Sequence, residues 1–318
     1  MGNLPERRVA SGGHPFECVG VDYAGPILSA SRQGRGCRLV KVYIVLFICF
    51  TTKAVHIELV GDLTSQNYLS ALRRFMSRRG KPNHIYSDNG TSFVGAYNEI
   101  GKFLKANSSS LSGDMAAEGI NFIFIPPYAP NFGGLWEAGV KSVKFHLKRV
   151  MGNCHLTYEE LYTALVQIEA LLNSRPLTPL SSDPNDLLPL TPGHFLIGRT
   201  LTSLPVSSFE AASVTHLKRY ERIEALRQHF WSRWNKEYIS ELQQRTKWRS
   251  SKAVLETDRL VIVKEDNLPP LKWRLGRITA VYPGRDGISR VAEIRTASGT
   301  IRRACSKICP LPLNEHSG

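Results

Sequence analysis

Ile85-Tyr-Ser-Asp-Asn-Gly-Thr-Ser-Phe93 is the stretch on which the reading of this chain turns. The short apolar run Asn83-His-Ile-Tyr predicts a strand that ends on Asp88. Asn89-Gly90 then turns the chain before a helical pattern begins near Phe93. A carboxylate at the carboxyl end of a central α/β strand faces the crevice where such sheets bind ligands. Alone, Asp88 could equally serve the Asn-Gly turn. Two further acids at comparable chain punctuation shift the balance: Asp22 in Val19-Gly-Val-Asp-Tyr-Ala-Gly-Pro26, and Glu137 in Asn131-Phe-Gly-Gly-Leu-Trp-Glu137.

Working outward, Phe16 to Asp22 reads as a first strand stopped by Gly25-Pro26, and Lys41 to Thr51 as a buried second strand. Ala54 to Val60 forms a hairpin with it, and Asp62-Leu-Thr-Ser-Gln starts a helix striped with Tyr68, Leu69, Leu72, Phe75 and Met76. After the Asp88 strand, helix is expected from Phe93 to Lys105, a surface loop over 107–113, and a fifth strand from Asn121 to Ile125. A long helix then begins after Gly133-Gly134 with Glu137 in its first turn, and Thr157 opens another through a capping box with Glu160. Three strands, then helix, strand, helix, strand and helices describe an α/β fold with a mixed five-stranded sheet and flanking helices.

The Pro- and Ser-rich residues 174–214 read as a linker with ordered patches. A basic helix studded with aromatics follows from Thr215 to Trp248, and residues 258–308 read as a small β-barrel. The tryptophans of that helix are expected to pack on the barrel, with base stacking as the other option.

A net charge of +14 over 318 residues favours a polyanionic partner. Residues 215–318 hold 21 basic and 11 acidic side chains, a net of +10; residues 1–214 hold 20 and 16, a net of +4. The basic barrel face of Lys272, Arg274, Arg277, Arg302, Arg303 and Lys307 is the expected place for phosphate contact. The six cysteines show no CxxC pair and no ligand spacing, so no zinc site is expected in this chain. The longest apolar run, Val42 to Phe50, is too short for a bilayer, and the amino terminus has no apolar leader, so a soluble intracellular chain without membrane contact is expected.

If the first and fourth strands are neighbours, Asp22, Asp88 and Glu137 converge at one sheet edge. Three close carboxylates repel unless a cation joins them. Mg²⁺ or Mn²⁺ suits oxygen ligands, and two such ions about 4 Å apart would support in-line phosphoryl transfer. Lys141, Lys144 and Lys148 follow Glu137 at offsets of four, seven and eleven, on one helix face, where they either make a solvated salt-bridging surface or neutralise a phosphate backbone.

Asp22, Asp88-Asn89-Gly90 with Phe93, and Glu137 followed by Lys141 and Lys144 resemble the Asp-Asp-Glu triad of retroviral and LTR-retrotransposon integrases. Ile125-Pro-Pro-Tyr-Ala-Pro-Asn-Phe-Gly-Gly-Leu-Trp-Glu137 is similar to the segment before the glutamate in that superfamily. Pro189 to Arg199 and Glu265 to Arg277 narrow the resemblance to the Bel/Pao group. It implies an RNase H-like core over 10–200 after a lead-in of 1–9, a linker at 201–219, a basic integrase-associated domain with an SH3-like barrel over 220–313, and a tail of 314–318.

The implied activity is metal-dependent processing of element DNA ends and their transfer into host DNA, with Asp22, Asp88 and Glu137 as ligands and Lys141 and Lys144 on DNA. A homo-oligomer acting in the nucleus, made within a cytoplasmic polyprotein and needing no small-molecule cofactor, is implied too. The 48 residues between Asp88 and Glu137 (137 − 88 − 1) exceed the spacing of many integrases, the excess falling in the Ser-rich 107–113 region. The family's His-His-Cys-Cys zinc domain would lie before Met1. A DNA-binding remnant without chemistry and an RNase H-like nuclease are the rival readings.

Overall fold

The apolar run that begins at Val42 becomes an interior strand of a five-stranded sheet. The computed structural model describes residues 13–34, 36–106, 119–124, 141–150, 155–209, 217–249, 255–285 and 289–312. They fall into two compact units, Met1–Leu172 with Ser213–Leu226, and Asn173–Ala212 with Arg227–Gly318.

In the first unit, strands β1 (Cys18–Ala30), β2 (Leu39–Cys49) and β3 (Val55–Val60) form an antiparallel meander. Helix α1 (Ser65–Arg79) leads to β4 (His84–Ser87), and α2 (Thr91–Ala106) precedes β5 (Asn121–Phe124). Residues 141–150 form helix α3, and α4 spans Tyr158–Asn173. The sheet order is β3-β2-β1-β4-β5, with β4 parallel to both β1 and β5. It is the mixed five-stranded sheet read from the sequence, with the first and fourth strands adjacent.

Local chemistry sets the helix starts. Thr64 caps α1, its hydroxyl accepting from Asn67 N, while Asp62 gathers the Thr64 amide, the Thr64 hydroxyl and the Asn67 side chain. Thr157 and Glu160 form the expected box: Glu160 Oε2 accepts from Thr157 N at 2.8 Å, and Thr157 Oγ1 accepts from Glu160 N at 3.4 Å. The buried stripe of α1 is Tyr68, Ala71, Leu72 and Phe75, with Phe75 stacked on Phe47 of β2.

The first strand corrects the reading from sequence, because it continues past Gly25-Pro26 to Ala30. The register slips between Ala24 and Ile27, and this bulge absorbs a proline that has no amide to give the ladder. Gly25 has φ +136, and a Cβ there would stand 3.0 Å from the Tyr43 ring and 3.3 Å from Val42 O.

The second unit opens with ordered patches in the Pro- and Ser-rich segment: β6 (Thr178–Pro179) pairs with β7 (Pro189–Leu190), followed by helix α5 (Pro192–Ile197). His194, without a role in the sequence reading, caps α5: its Nδ1 accepts from Thr191 N at 3.0 Å. Helix α6 (Arg219–Arg249) is followed by β8 (Leu260–Val263), β9 (Leu275–Pro283), β10 (Ser289–Thr296), β11 (Gly299–Ala304) and β12 (Ile308–Pro310). These strands form an antiparallel sheet in the order β11-β10-β9-β8-β12.

Strand β8 is buried on both faces. Val261 and Val263 enter one core cluster with Ile278 and Ile294, while Leu260 and Ile262 join Ile239 and Leu242 of α6 in another. The aromatics of α6 complete that packing. Trp231 stands edge-on to Trp273 at 4.8 Å and donates to Leu268 O, and Trp234 stacks on Tyr238. Packing, not base stacking, is what these side chains do; the Trp248 side chain lies outside the described residues. None of the five described cysteines is in a disulfide.

Candidate active site

The last parallel pair between β1 and β4 is Gly20 with Tyr86. Asp22 and Asp88 each lie two residues beyond that pair, so the two acids leave neighbouring strands at the same height and on the same side. Asp22 is still in β1, opposite Leu46 of β2, whereas Asp88 is one residue past the end of β4.

Backbone amides orient both carboxylates. Asp22 Oδ1 accepts from Tyr23 N at 2.6 Å, and Asp88 Oδ1 accepts from Gly90 N at 2.9 Å. Space at Gly90 is tight: a Cβ would meet Asp88 Oδ1 at 3.0 Å and the Phe93 ring at 3.2 Å. Its carbonyl receives the Phe93 and Val94 amides, so the turn that presents Asp88 also starts α2.

A ring pair that the sequence reading passed over joins the two acids. Tyr23, the residue after Asp22, stacks on Phe93 at 5.0 Å, and Tyr68 meets Phe93 edge-on at 4.8 Å. Burial pushes the Tyr23 phenol up to about 12; the Ser92 hydroxyl draws it down and Asp62 adds to the rise. The signal available in sequence was an aromatic within five residues after each acid, Tyr23 after Asp22 and Phe93 after Asp88. It could not tell which rings would meet.

Helix α3 brings a cation to this edge. Lys144 Nζ lies 3.3 Å from Asp22 Oδ2, with the lysine side chain 42% and the aspartate 26% exposed. Burial raises the Asp22 pKa; the Lys144 charge and the Tyr23 amide lower it, and Asp88 raises it again. Lys141 and Lys148 are exposed on α3, whose Val143 and Leu147 are buried. Glu137 lies outside the described residues, as do Gly133-Gly134 and Trp136. Among the described residues no group of three or more His, Cys, Asp or Glu side chains is placed to hold a metal.

The basic residues of the second unit divide. Arg277, expected on the phosphate-contact face, is turned into the protein. It is 6% exposed, and its guanidinium donates to the carbonyls of Ser181, Asp186 and Asp258. Arg274 is tied to Glu265 and Ser298, and Arg302 to Glu293 and the Tyr282 ring. Arg302 pairs with Glu293 across β10 and β11 while Arg303 pairs with Ala292, so these adjacent arginines take opposite sides of the sheet. Lys272, Arg303 and Lys307 are exposed. A single basic face is therefore not what the strands present.

A family described as "Family of unknown function (DUF5641)" matches residues 218–311. No curated protein sequence matches the chain. Among solved structures, the chain is similar to one of the simian T-cell lymphotropic virus intasome in complex with PP2A regulatory subunit B56 gamma. Identity there is 13%, over 99% of this chain and 85% of that one, with a TM-score of 0.41. It is also similar to the HTLV-2 integrase catalytic core domain in complex with magnesium in its trimeric form (20% identity, 54% of this chain, 91% of that one, TM-score 0.33). The catalytic core domain of BIV integrase is a third (17%, 57%, 95%, TM-score 0.37). Likenesses this distant leave the chemistry to be read from the chain's own residues. No described helix is long and apolar enough to cross a membrane.

Proposed function

We propose that this chain is an integrase of the Bel/Pao type, catalysing metal-dependent processing of element DNA ends and strand transfer by in-line phosphoryl transfer. The observation that carries the reading is the placement of Asp22 and Asp88 at one height on neighbouring parallel strands, with the Lys144 ammonium on Asp22. Two adjacent carboxylates that require a counter-charge and are made of hard oxygen donors suit Mg²⁺ or Mn²⁺. Asp22, Asp88 and Glu137 would hold the metal, two ions in the full site.

Bound divalent ions would activate the attacking oxygen and stabilise the leaving one. The chain supplies the rest. The Tyr23 and Gly90 amides fix the carboxylates, the Tyr23–Phe93 ring pair braces β1 against α2, and Lys141, Lys144 and Lys148 neutralise phosphates along α3. In the second unit, Lys272 and Arg303, with Arg274 and Arg302 once freed from their acidic partners, would add sequence-independent contact. Its five-stranded sheet would close as an SH3-like barrel. The partners are element and host DNA and further copies of the chain; the place of action is the nucleus, after release from a cytoplasmic polyprotein.

The test is Mg²⁺-dependent strand transfer with pre-cleaved LTR oligonucleotides, with Glu137→Gln alongside. Joining by the native chain and its loss in the variant is the expected result. DNA binding without chemistry would leave a remnant that only adheres to DNA, and cleavage without joining would leave a nuclease.

A further inference from the structure

We propose that Lys144 is the resident counter-cation of this site and that it and a divalent ion exclude one another at Asp22, so that metal loading releases the lysine toward a DNA phosphate. This rests on the reading of Asp22 and Asp88 as metal ligands. The two oxygens of Asp22 are unequally engaged. Oδ1 is held at 2.6 Å by the amide of the next residue, a contact fixed by the backbone of β1. Oδ2 faces the Lys144 ammonium at 3.3 Å. A metal ion approaching the oxygen that the backbone does not hold therefore meets the atom that the lysine holds.

The two occupants differ in charge and in reach. A divalent ion binds carboxylate oxygens directly at about 2.0–2.1 Å if it is Mg²⁺. An ammonium hydrogen-bonds from farther away on a flexible four-carbon stem. At 42% exposure that stem has solvent to swing into, and α3 carries Lys141 and Lys148 at helical spacing to either side. Before metal arrives, Lys144 offsets the repulsion between two acids that the sheet register holds together. After it arrives, the same ammonium is surplus beside two positive charges and is driven off toward whatever anion is near. Because coupling between two ligands is reciprocal, metal and DNA must then each tighten the other's binding, with Lys144 as the link.

The experiment measures Mn²⁺ binding to the whole chain without DNA, by calorimetry and by the electron paramagnetic resonance signal of free Mn²⁺. Native protein is compared with Lys144→Gln, Asp22→Asn and Lys148→Gln. Lys144→Gln is expected to bind Mn²⁺ about three- to tenfold more tightly than native, and Lys148→Gln, which removes equal charge away from Asp22, by less than half that factor. DNA affinity of the native chain should rise on adding Mg²⁺ by a larger factor than that of Lys144→Gln. Binding by Lys144→Gln alone, with none in native protein, supports the proposal in its strongest form. Equal or weaker Mn²⁺ binding by Lys144→Gln, with native binding intact and sensitive to Asp22→Asn, overturns the competition and leaves the metal site standing. No Asp22-dependent binding in either overturns both.

Discussion

Asp22 is the residue on which chemistry and stability pull apart. Burial raises its pKa and the Asp88 charge adds to that, so the ionised carboxylate is poorly accommodated without a cation. Its pair with Lys144 is half-solvated, which limits what the pair contributes to about 1 kcal/mol or less. Asp22→Asn keeps the shape and removes the charge. We expect its melting temperature to match or exceed that of the native chain while strand transfer falls at least about a thousandfold, as removal of a metal ligand should cause. A variant that lost stability and activity together would show that Asp22 is a structural acid. At this scale the sequence was legible where chain punctuation exposed an acid, as at Asp22 and Asp88. It was not legible at Arg277, whose donors meet carbonyls 91 and 96 residues away and which looks on paper like any other surface arginine.

Strand β3 shows how an element is held at its free edge. It ends the sheet, yet all six of its residues are buried. Side chains meet the backbone groups that a further strand would have bonded. Glu169 Oε2 accepts from Ile57 N at 2.8 Å, and Leu59 O accepts from Arg74 and from the Tyr158 hydroxyl. Glu169, which serves this edge, and Glu58 of β3 both flank His56: Nε2 lies 3.0 Å from Glu58 Oε1 and Nδ1 lies 3.4 Å from Glu169 Oε2.

Arg74 and Arg78 pair with Glu58, and Arg79, which pairs with Glu169, also places its Nε 3.3 Å from His56 Nδ1. Burial works to lower the His56 pKa, but the hydrogen bonds and charges of Glu169 and Glu58 outweigh it and hold the imidazole above its ordinary 6.5. A group raised on folding stabilises fully below its unfolded pKa and loses that contribution as pH rises through the folded value. The urea midpoint of the native chain should therefore fall as pH climbs from about 6.5 toward 8, relative to that of His56→Gln, which cannot titrate. Parallel midpoints for the two proteins across that range would rule the network out as a source of pH dependence. His56 was readable as a strand residue and no more, because Glu169 approaches from a helix 113 residues later, and only the folded sheet brings them together.

For the whole molecule, what the sequence revealed least well was where one unit stops. Charge placed the basic excess in the last third, and the strand–turn pattern of 258–308 was plain. The Pro- and Ser-rich segment before it has the composition of a linker. The second compact unit takes in Asn173–Ala212. The cause is side chains about a hundred residues downstream: Trp273 donates to Ser174 Oγ, Arg277 to the carbonyls of Ser181 and Asp186, and Arg295 to Asn185 Oδ1 and the Pro184 carbonyl.

Composition reports what a segment could do alone, whereas these bonds are supplied from outside it. A fragment covering 173–318 should accordingly unfold cooperatively, and one covering 220–318 should be weaker. The shorter piece leaves Arg277 with one of its three carbonyl partners and strips Arg295 and Trp273 of theirs. Hydrogen bonds from charged donors contribute about 1.5–3 kcal/mol each, so the loss should exceed about 3 kcal/mol, enough to unfold a small domain of ordinary stability or bring it close. Urea titrations followed by tryptophan fluorescence decide it. Coincident midpoints for the two fragments would mean that 173–219 is a passive tether after all, and that Arg277 finds other partners without it.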